Sequence, residues 1–329
     1  MENFLVSARK YRPQVFETVV GQSHVTGTLK NAIINQQLAQ AYLFCGPRGV
    51  GKTTCARILA RALNCTNSKN EEPCNTCPSC TDMLEGRSVD IIEIDGASNN
   101  SVDDVRKLRD SAKYAPVMGK YKMYIIDEVH MLSTSAFNAL LKTLEEPPEH
   151  LIFVFATTEI HKVPATILSR CQRFDFRRME VDTITQHLRH ITTNEGITID
   201  DGSLVAIAKK TDGSMRDSQS ILDQVVSFCG TDITSNQVSS ALHLIDVDFY
   251  FRLSDAISAH DIPAMFAMAQ TVVVFRDNMI ERDRLTRANA DSTREKERRS
   301  ESVAKAIASF QGSVQQALAN LHATAHRLE

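Results

Sequence analysis

Short apolar runs separated by stretches of helical period fill the first half of the chain. The runs are Ala41-Tyr42-Leu43-Phe44, Asp90 to Asp95, Lys122 to Asp127, Leu151 to Thr157 and Phe174 to Phe176. Their length suits strands, and their continuous hydrophobicity predicts strands covered on both faces, as in a parallel sheet. The gaps carry amphipathic helices, one from about Ser101 and one from about Thr134 to Glu145, the latter stopped by Pro147-Pro148. Alternation of this kind implies an α/β domain around a five-stranded parallel sheet.

From about Glu180 the strand pattern stops and an all-helical region is expected. Thr234-Ser235-Asn236-Gln237 has the capping-box form and opens a helix predicted to run through Leu244. A further helical segment starts at Asp248. Between Arg276 and Glu301 charges of both signs crowd together, and Val303 to Leu328 recovers a helical apolar period through Ile307, Phe310, Val314, Leu318 and Leu321. That stretch predicts a long helix or coiled-coil arm.

With 329 residues, 43% hydrophobic and 23% charged, the chain is large enough for two or three domains with their own cores. The net charge of -3 excludes nucleic-acid binding through a bulk positive field, so any such contact must be local. Neither a signal-peptide core nor an apolar run of bilayer length is visible, and a cytoplasmic location without membrane contact is expected.

Gly46-Pro47-Arg48-Gly49-Val50-Gly51-Lys52-Thr53 fits the Walker A pattern, follows a predicted strand and opens a helix predicted over Thr54 to Leu63. Glycines let backbone N–H groups wrap phosphates, and the helix N-terminus adds partial positive charge. Lys52 is expected to neutralise the β- and γ-phosphates, and the Thr53 hydroxyl to ligate Mg²⁺. Tyr124-Ile125-Ile126-Asp127-Glu128 supplies the matching acid pair at a strand's carboxyl end. Asp127 would hold Mg²⁺ and Glu128 would polarise the attacking water. His130 reads as a satisfied histidine at a helix start rather than a catalytic one.

Eight cysteines divide unevenly. Cys65, Cys74, Cys77 and Cys80 crowd into sixteen residues, whereas Cys45, Cys55, Cys171 and Cys229 are scattered. The two CxxC steps can place four thiolates on one ion, which suits a closed tetrahedral zinc site stapling an insertion after the P-loop helix. Iron–sulfur ligation uses the same residues. Cys171 reads as a small buried residue, since no base is signalled beside it.

The stretches ARKYRPQVFETVVGQ, GPRGVGKTTCARILARALNC, YIIDEVHMLS, FNALLKTLEEPPEHLIFVFATTE, ILSRCQRFDF and DGSMRDSQSILDQ, with the cysteine knuckle, extend far beyond the Walker elements. Through them residues 1 to about 270 resemble the gamma/tau subunits of bacterial DNA polymerase III, which are AAA+ clamp-loader ATPases. The resemblance implies a nucleotide-binding domain over 1–179 with a zinc insertion at 64–82, a helical lid over 180–243 and the start of a collar over 244–273. It implies base and ribose contacts at Tyr11, Arg12, Val19 and Val20, and a phosphate cradle from Gly46 through Thr54. Thr158 would be the γ-phosphate sensor, Arg216 a second sensor on the lid, and Arg170 an arginine lent to the neighbouring subunit's ATP.

The implied activity is ATP hydrolysis that loads a sliding clamp onto primed DNA, grouped at the level of the holoenzyme with DNA-directed DNA polymerases. Its cofactors would be ATP, Mg²⁺ and Zn²⁺. Its partners would be delta and delta-prime subunits, further copies of itself, the beta clamp and primer–template DNA. Arg106 and Lys142 are candidate phosphate contacts, and Ser98-Asn99-Asn100-Ser101 is polar where some family members are basic. A non-hydrolysing scaffold and another AAA+ motor, such as a helicase loader, are the alternative functions. The tail over 274–329 departs from the family and resembles the segment that follows a HAMP linker in chemoreceptors, implying either a chimeric join or a dimerisation arm.

Overall fold

The computed structural model describes residues 5–98, 102–242, 254–264 and 267. The chain divides into two units, Met1–Leu242 and His243–Glu329. Of the collar start only 254–264 and 267 are described, with 254–258, 262–264 and 267 helical, and the tail lies outside the described residues.

In the first unit a short helix α1 (Ser7–Lys10) and a helical turn at Phe16–Thr18 precede α2 (Ser23–Ile34). There follow β1 (Ala41–Cys45), α3 (Lys52–Asn64), α4 (Pro78–Leu84), β2 (Ile91–Asp95), α5 (Val102–Ala112) and β3 (Lys122–Asp127). Next come α6 (Thr134–Glu145), β4 (Leu151–Thr157), α7 (Ala165–Leu168) and β5 (Gln172–Asp175). The remainder is α8 (Val181–Glu195), β6 (Thr198–Ile199), α9 (Asp201–Lys210), α10 (Met215–Cys229), β7 (Asp232–Ile233) and α11 (Ser235–Ala241).

The five long strands form one parallel sheet in the order β2-β3-β4-β1-β5. Because β4 lies between β1 and β3, the segments that leave these three strands emerge side by side at the carboxyl edge, where ligands of open α/β sheets bind. Alternate residues feed two cores. Tyr42, Phe44, Met123, Ile125, Ile152 and Val154 face Ile58 and Leu59 of α3. Leu43, Tyr124, Ile126, Phe153 and Phe155 face Phe137 and Leu140 of α6. Truncating a buried phenylalanine here to alanine should cost about 3–5 kcal/mol.

Burial on both faces holds only for the three central strands. In β2 and β5 buried and exposed positions mix, because each is an edge with one neighbour and incomplete helix cover. β5 also starts two residues before the expected Phe174, pairing Gln172 with Tyr42. Asp90 lies outside β2; its carboxylate accepts the N–H groups of Val117, Met118 and Gly119 at 2.6, 2.7 and 2.8 Å.

The region after Glu180 is not wholly helical. β6 and β7 form a two-residue parallel pair that ties the start of α9 to the start of α11. Local chemistry fixes the helix ends. Asp200 caps α9 by accepting the Ser203 N–H at 2.9 Å, and Ser214 caps α10 by accepting that of Asp217 at 3.3 Å. Gly196 ends α8 in the left-handed conformation at φ 67°. Helix α11 is described to Ala241, so its expected run to Leu244 lies partly outside the described residues.

Candidate nucleotide and metal sites

Strand β1 delivers Gly46 at φ 149°, where a Cβ would lie 2.4 Å from the Phe176 carbonyl oxygen, so only glycine fits. The loop then winds into α3, whose N-terminus is reached through Gly51 in a left-handed conformation. Lys52 is buried and donates to the Gly46 and Pro47 carbonyls, both at 2.7 Å. Burial lowers its pKa, while Glu128 and Asp127 act the other way. Across the loop the Thr53 hydroxyl donates to Asp127 Oδ2 at 2.7 Å. Thr53 and Asp127 are hard oxygen donors that already converge, a set that fits Mg²⁺.

Glu128 adopts a left-handed backbone at φ 45°, a strained conformation outside glycine. Its carboxylate accepts the backbone N–H of Thr158 at 3.2 Å and the Thr158 hydroxyl at 3.0 Å. His130 lies within the helical turn Val129–Met131 and pairs its Nδ1 with the Thr157 hydroxyl at 2.9 Å. The same nitrogen lies 3.4 Å from Glu128 Oε2 and Nε2 lies 3.4 Å from Glu159, so the ring is satisfied on both sides.

Lys52, Thr53, Asp127 and Glu128 border a cavity of about 830 Å³. The phosphate-side wall is Arg48 through Thr54 with Asp127 and Glu128, while Gly46 and Pro47 stand behind it, gripped by Lys52. The opposite wall carries Arg12, Pro13, Val19 and Val20, and the lid contributes Met215, Arg216 and Gln219. Arg216 meets the P-loop directly, its backbone N–H donating to the Gly49 carbonyl at 3.3 Å. Arg12 donates through Nε to Thr54 Oγ1 at 3.1 Å, and burial followed by the charge of Arg57 depresses its pKa.

Tyr11 does not line the cavity. Its hydroxyl bonds to Glu195 at the end of α8, and Lys10 pairs with the same carboxylate at 2.6 Å. The tyrosine is drawn to the lid because Glu195 offers a charged acceptor. Thr158 also lies off the wall and reaches the site through Glu128. Arg170 is remote, its Nη2 paired with Glu145 at 2.6 Å and Nη1 donating to the Thr166 carbonyl at 2.7 Å. Cys171 is half-buried rather than buried, with its thiol pushed up to about 12 by desolvation.

Sequence reasoning missed several lining residues: Val6, Ala8, Arg9, Arg57, Glu93, Met179, His187 and Gln219. Arg57 could have been found, since it follows the P-loop on the exposed side of α3 and is held by Glu93 in two bonds of 2.6 Å. His187 and Gln219, bonded to each other at 3.0 Å, carry no local signal.

The four knuckle cysteines converge, with all their sulfur atoms within 4.8 Å of one another. A tetrahedral zinc with Zn–S bonds of ~2.3 Å would bring the sulfurs to about 3.8 Å, so a small contraction completes the site. Two ligand sulfurs already accept backbone N–H groups, Cys65 from Cys74 at 3.3 Å and Cys74 from Cys77 at 3.2 Å. The Thr76 hydroxyl and N–H, with the Cys77 N–H, hold the Cys74 thiol down to about 6, whereas burial pushes Cys80 up. The donor set fits zinc, whose binding must displace the protons that remain.

Comparison with known proteins agrees with this geometry. The family model for the DNA polymerase III delta subunit matches residues 21–180, and that for the clamp loader ATPase lid domain matches 183–231. The chain is 56% identical over 222 residues to DNA polymerase III subunit tau of Bacillus subtilis, covering 68% of this chain and 39% of that one. It is 46% identical over 255 residues to subunit tau of Escherichia coli, covering 78% and 40%. With subunit gamma of Buchnera aphidicola it shares 41% identity over 259 residues, covering 79% and 72%. The chain therefore spans about two-fifths of the longer relatives. Among solved structures, the Holliday junction branch migration motor RuvB of Thermotoga maritima aligns with a TM-score of 0.54 at 18% identity. That alignment covers 76% of this chain and 80% of RuvB and shows the shared AAA+ fold. Among the described residues no helix is long and apolar enough to cross a membrane. The sheet order, the cavity beneath a helical lid and identity along most of a gamma subunit place this chain in the DNA polymerase III gamma/tau family.

Proposed function

We propose that the chain is an ATP-hydrolysing motor of a cytoplasmic clamp loader, acting with delta and delta-prime subunits and further copies of itself to place a sliding clamp on primed DNA. The observation that carries this reading is one cavity bordered by Lys52 and Thr53 at the start of α3, by Asp127 and Glu128 at the end of β3 and by Arg216 on the lid. ATP bound there would touch both parts, so the presence of its γ-phosphate would set the angle between them.

Lys52 exchanges its two carbonyl acceptors for phosphate oxygens, losing little because the P-loop N–H groups turn to the same ligand. Magnesium, held by Thr53 and Asp127, would offset negative charge on the β- and γ-phosphates. Glu128 accepts the proton of the water that attacks the γ-phosphorus while ADP leaves. Its hydrogen bonds to Thr158 give that threonine a way to report the phosphate to the base. Arg170, exposed and held by Glu145 and the Thr166 carbonyl, would exchange those partners to supply planar positive charge to the ATP of a neighbouring copy, which makes hydrolysis depend on assembly. Exposed Arg106 and Lys142 would contact DNA phosphates without reading sequence.

The test is ATP turnover by the full chain mixed with delta, delta-prime, clamp and primed DNA. Turnover that rises on adding clamp and DNA is expected. Turnover indifferent to them would point to another AAA+ motor, and none at all to a scaffold; either result overturns the proposal.

A further inference from the structure

Arg12, Pro13, Val19 and Val20 wall the cavity opposite the P-loop, and the segment that joins these two pairs holds only one helical turn, Phe16–Thr18. Side chains from elsewhere fix it. On the knuckle side, Glu72 lies between Cys65 and Cys74. One of its oxygens accepts the Phe16 N–H at 2.6 Å, and the other accepts that of Glu17 at 3.1 Å and pairs with Lys30 at 2.6 Å. Arg61, buried one turn before Cys65, donates to Gln14 Oε1 at 2.6 Å and to its carbonyl at 2.9 Å. Asn75, held left-handed at φ 58° between Cys74 and Cys77, reaches the same carbonyl at 3.5 Å.

Among the described residues the two buried side-chain polar atoms without a partner, Arg61 Nε and Asn75 Oδ1, both belong to this seam. A carboxylate receiving two backbone N–H groups and an ammonium is a strong, directional clamp.

We propose that Glu72, supported by Arg61 and Asn75, is a positioning residue for nucleotide, so that the metal-bound knuckle sets affinity for the adenosine half of the ligand. This rests on reading the cavity as the nucleotide site. The four cysteines close the loop that carries Glu72 and Asn75, and those two reach across to the backbone just before Val19 and Val20. The phosphate half is anchored separately through β1, α3 and β3. Loss of the knuckle's shape therefore weakens recognition of adenosine while leaving phosphate recognition in place.

The experiment compares the wild-type chain, Glu72→Ala and Glu72→Gln for binding of ATP, ADP and inorganic tripolyphosphate, with metal content and thermal unfolding measured alongside. Glu72→Ala is expected to keep its zinc, to bind ATP and ADP about tenfold more weakly, and to bind tripolyphosphate as wild type does, the scale of one charge-assisted hydrogen bond. In assembled loader its KM for ATP should rise with kcat unchanged. Glu72→Gln, which keeps one acceptor, should recover part of the loss, and it carries the test if the alanine variant fails to fold. Chelator-stripped wild type should reproduce the alanine phenotype, and stripping Glu72→Ala should add little. Unchanged ATP affinity in a zinc-loaded variant overturns the proposal, as does a parallel loss of ATP and tripolyphosphate binding. Wild type that binds neither ligand refutes the cavity assignment itself and the proposal with it.

Discussion

The two walls of the cavity are built on opposite plans. The phosphate wall comes from the P-loop with the first turn of α3 and the end of β3, held by central strands buried on both faces. The opposite wall is a nearly coil segment strapped by side chains at both ends. Asp223 of α10 and Glu195 of α8 hold Ser7, Lys10 and Tyr11, Arg61 of α3 holds Gln14, and Glu72 of the cysteine knuckle holds Phe16 and Glu17. The backbone fixes the first wall, while the second depends on individual bonds that can be removed one at a time. Substitutions in the first should abolish function, and substitutions in the second should tune it.

The largest effect is expected from Lys52→Ala. Removing the one buried ammonium that faces the phosphates should weaken ATP binding roughly a thousandfold, the scale for stripping a desolvated charge partner, and end turnover. Retained tight binding, measured by titration calorimetry, would mean that the phosphate wall is not the anchor. Glu128→Gln tests the same wall for chemistry instead of affinity. Turnover should fall about a hundredfold while ATP binding stays unchanged, since a general base contributes on that scale and Glu128 is presently satisfied by neutral donors that an amide oxygen also accepts. Equal losses in both would make Glu128 a structural residue.

Gly49→Ala probes the junction of the P-loop and the lid. The residue sits at φ 75°, and an added Cβ would fall 2.0 Å from Ser214 Oγ and 3.3 Å from Arg216 Cβ. Ser214 would have to turn away and release the Asp217 N–H, uncapping α10 at a cost of about 1 kcal/mol, with left-handed strain adding about as much again. Nucleotide affinity should drop by about tenfold, with hydrogen exchange rising at the start of α10. A drop in affinity without that exchange signature would locate the damage in the P-loop alone.

The same contrast decides what the sequence makes legible. The P-loop, the acid pair and the four cysteines are each contiguous or closely spaced in one stretch of chain, so spacing alone brings them out. The five strands are legible because their apolar runs are long enough to stand out. β6 and β7 are not, since two residues carry no period. Exposure of the edges β2 and β5 depends on strand order, which local pattern does not encode. The second wall is least legible, because its contacts join residues far apart in the chain, such as Ser7 with Asp223 and Gln14 with Arg61. Tyr11 is an example: the resemblance implies a base or ribose contact for it, and here a carboxylate on α8 holds its hydroxyl.

The smallest effect, and the sharpest measure of the contrast, belongs to Asp223→Ala. Asp223 receives the Ser7 backbone N–H at 2.8 Å and the Ser7 hydroxyl as well, tying the first helix to the lid above Arg216. The site is partly exposed, so losing these bonds should cost about 1 kcal/mol of local order and leave the fold intact. The segment that carries Val6, Ala8 and Arg9 past the cavity would then loosen, lowering ATP affinity roughly threefold to fivefold. Asp223→Asn keeps one acceptor oxygen and should lie between the variant and wild type. The strap also predicts direction: because it joins the wall to the lid, its loss should be felt more by ATP, which would engage Arg216 through the γ-phosphate, than by ADP. Fluorescent-nucleotide titrations that show equal losses for ATP and ADP would break this link and make the N-terminal helix a passive cover, leaving the knuckle as the one adjustable support of the wall.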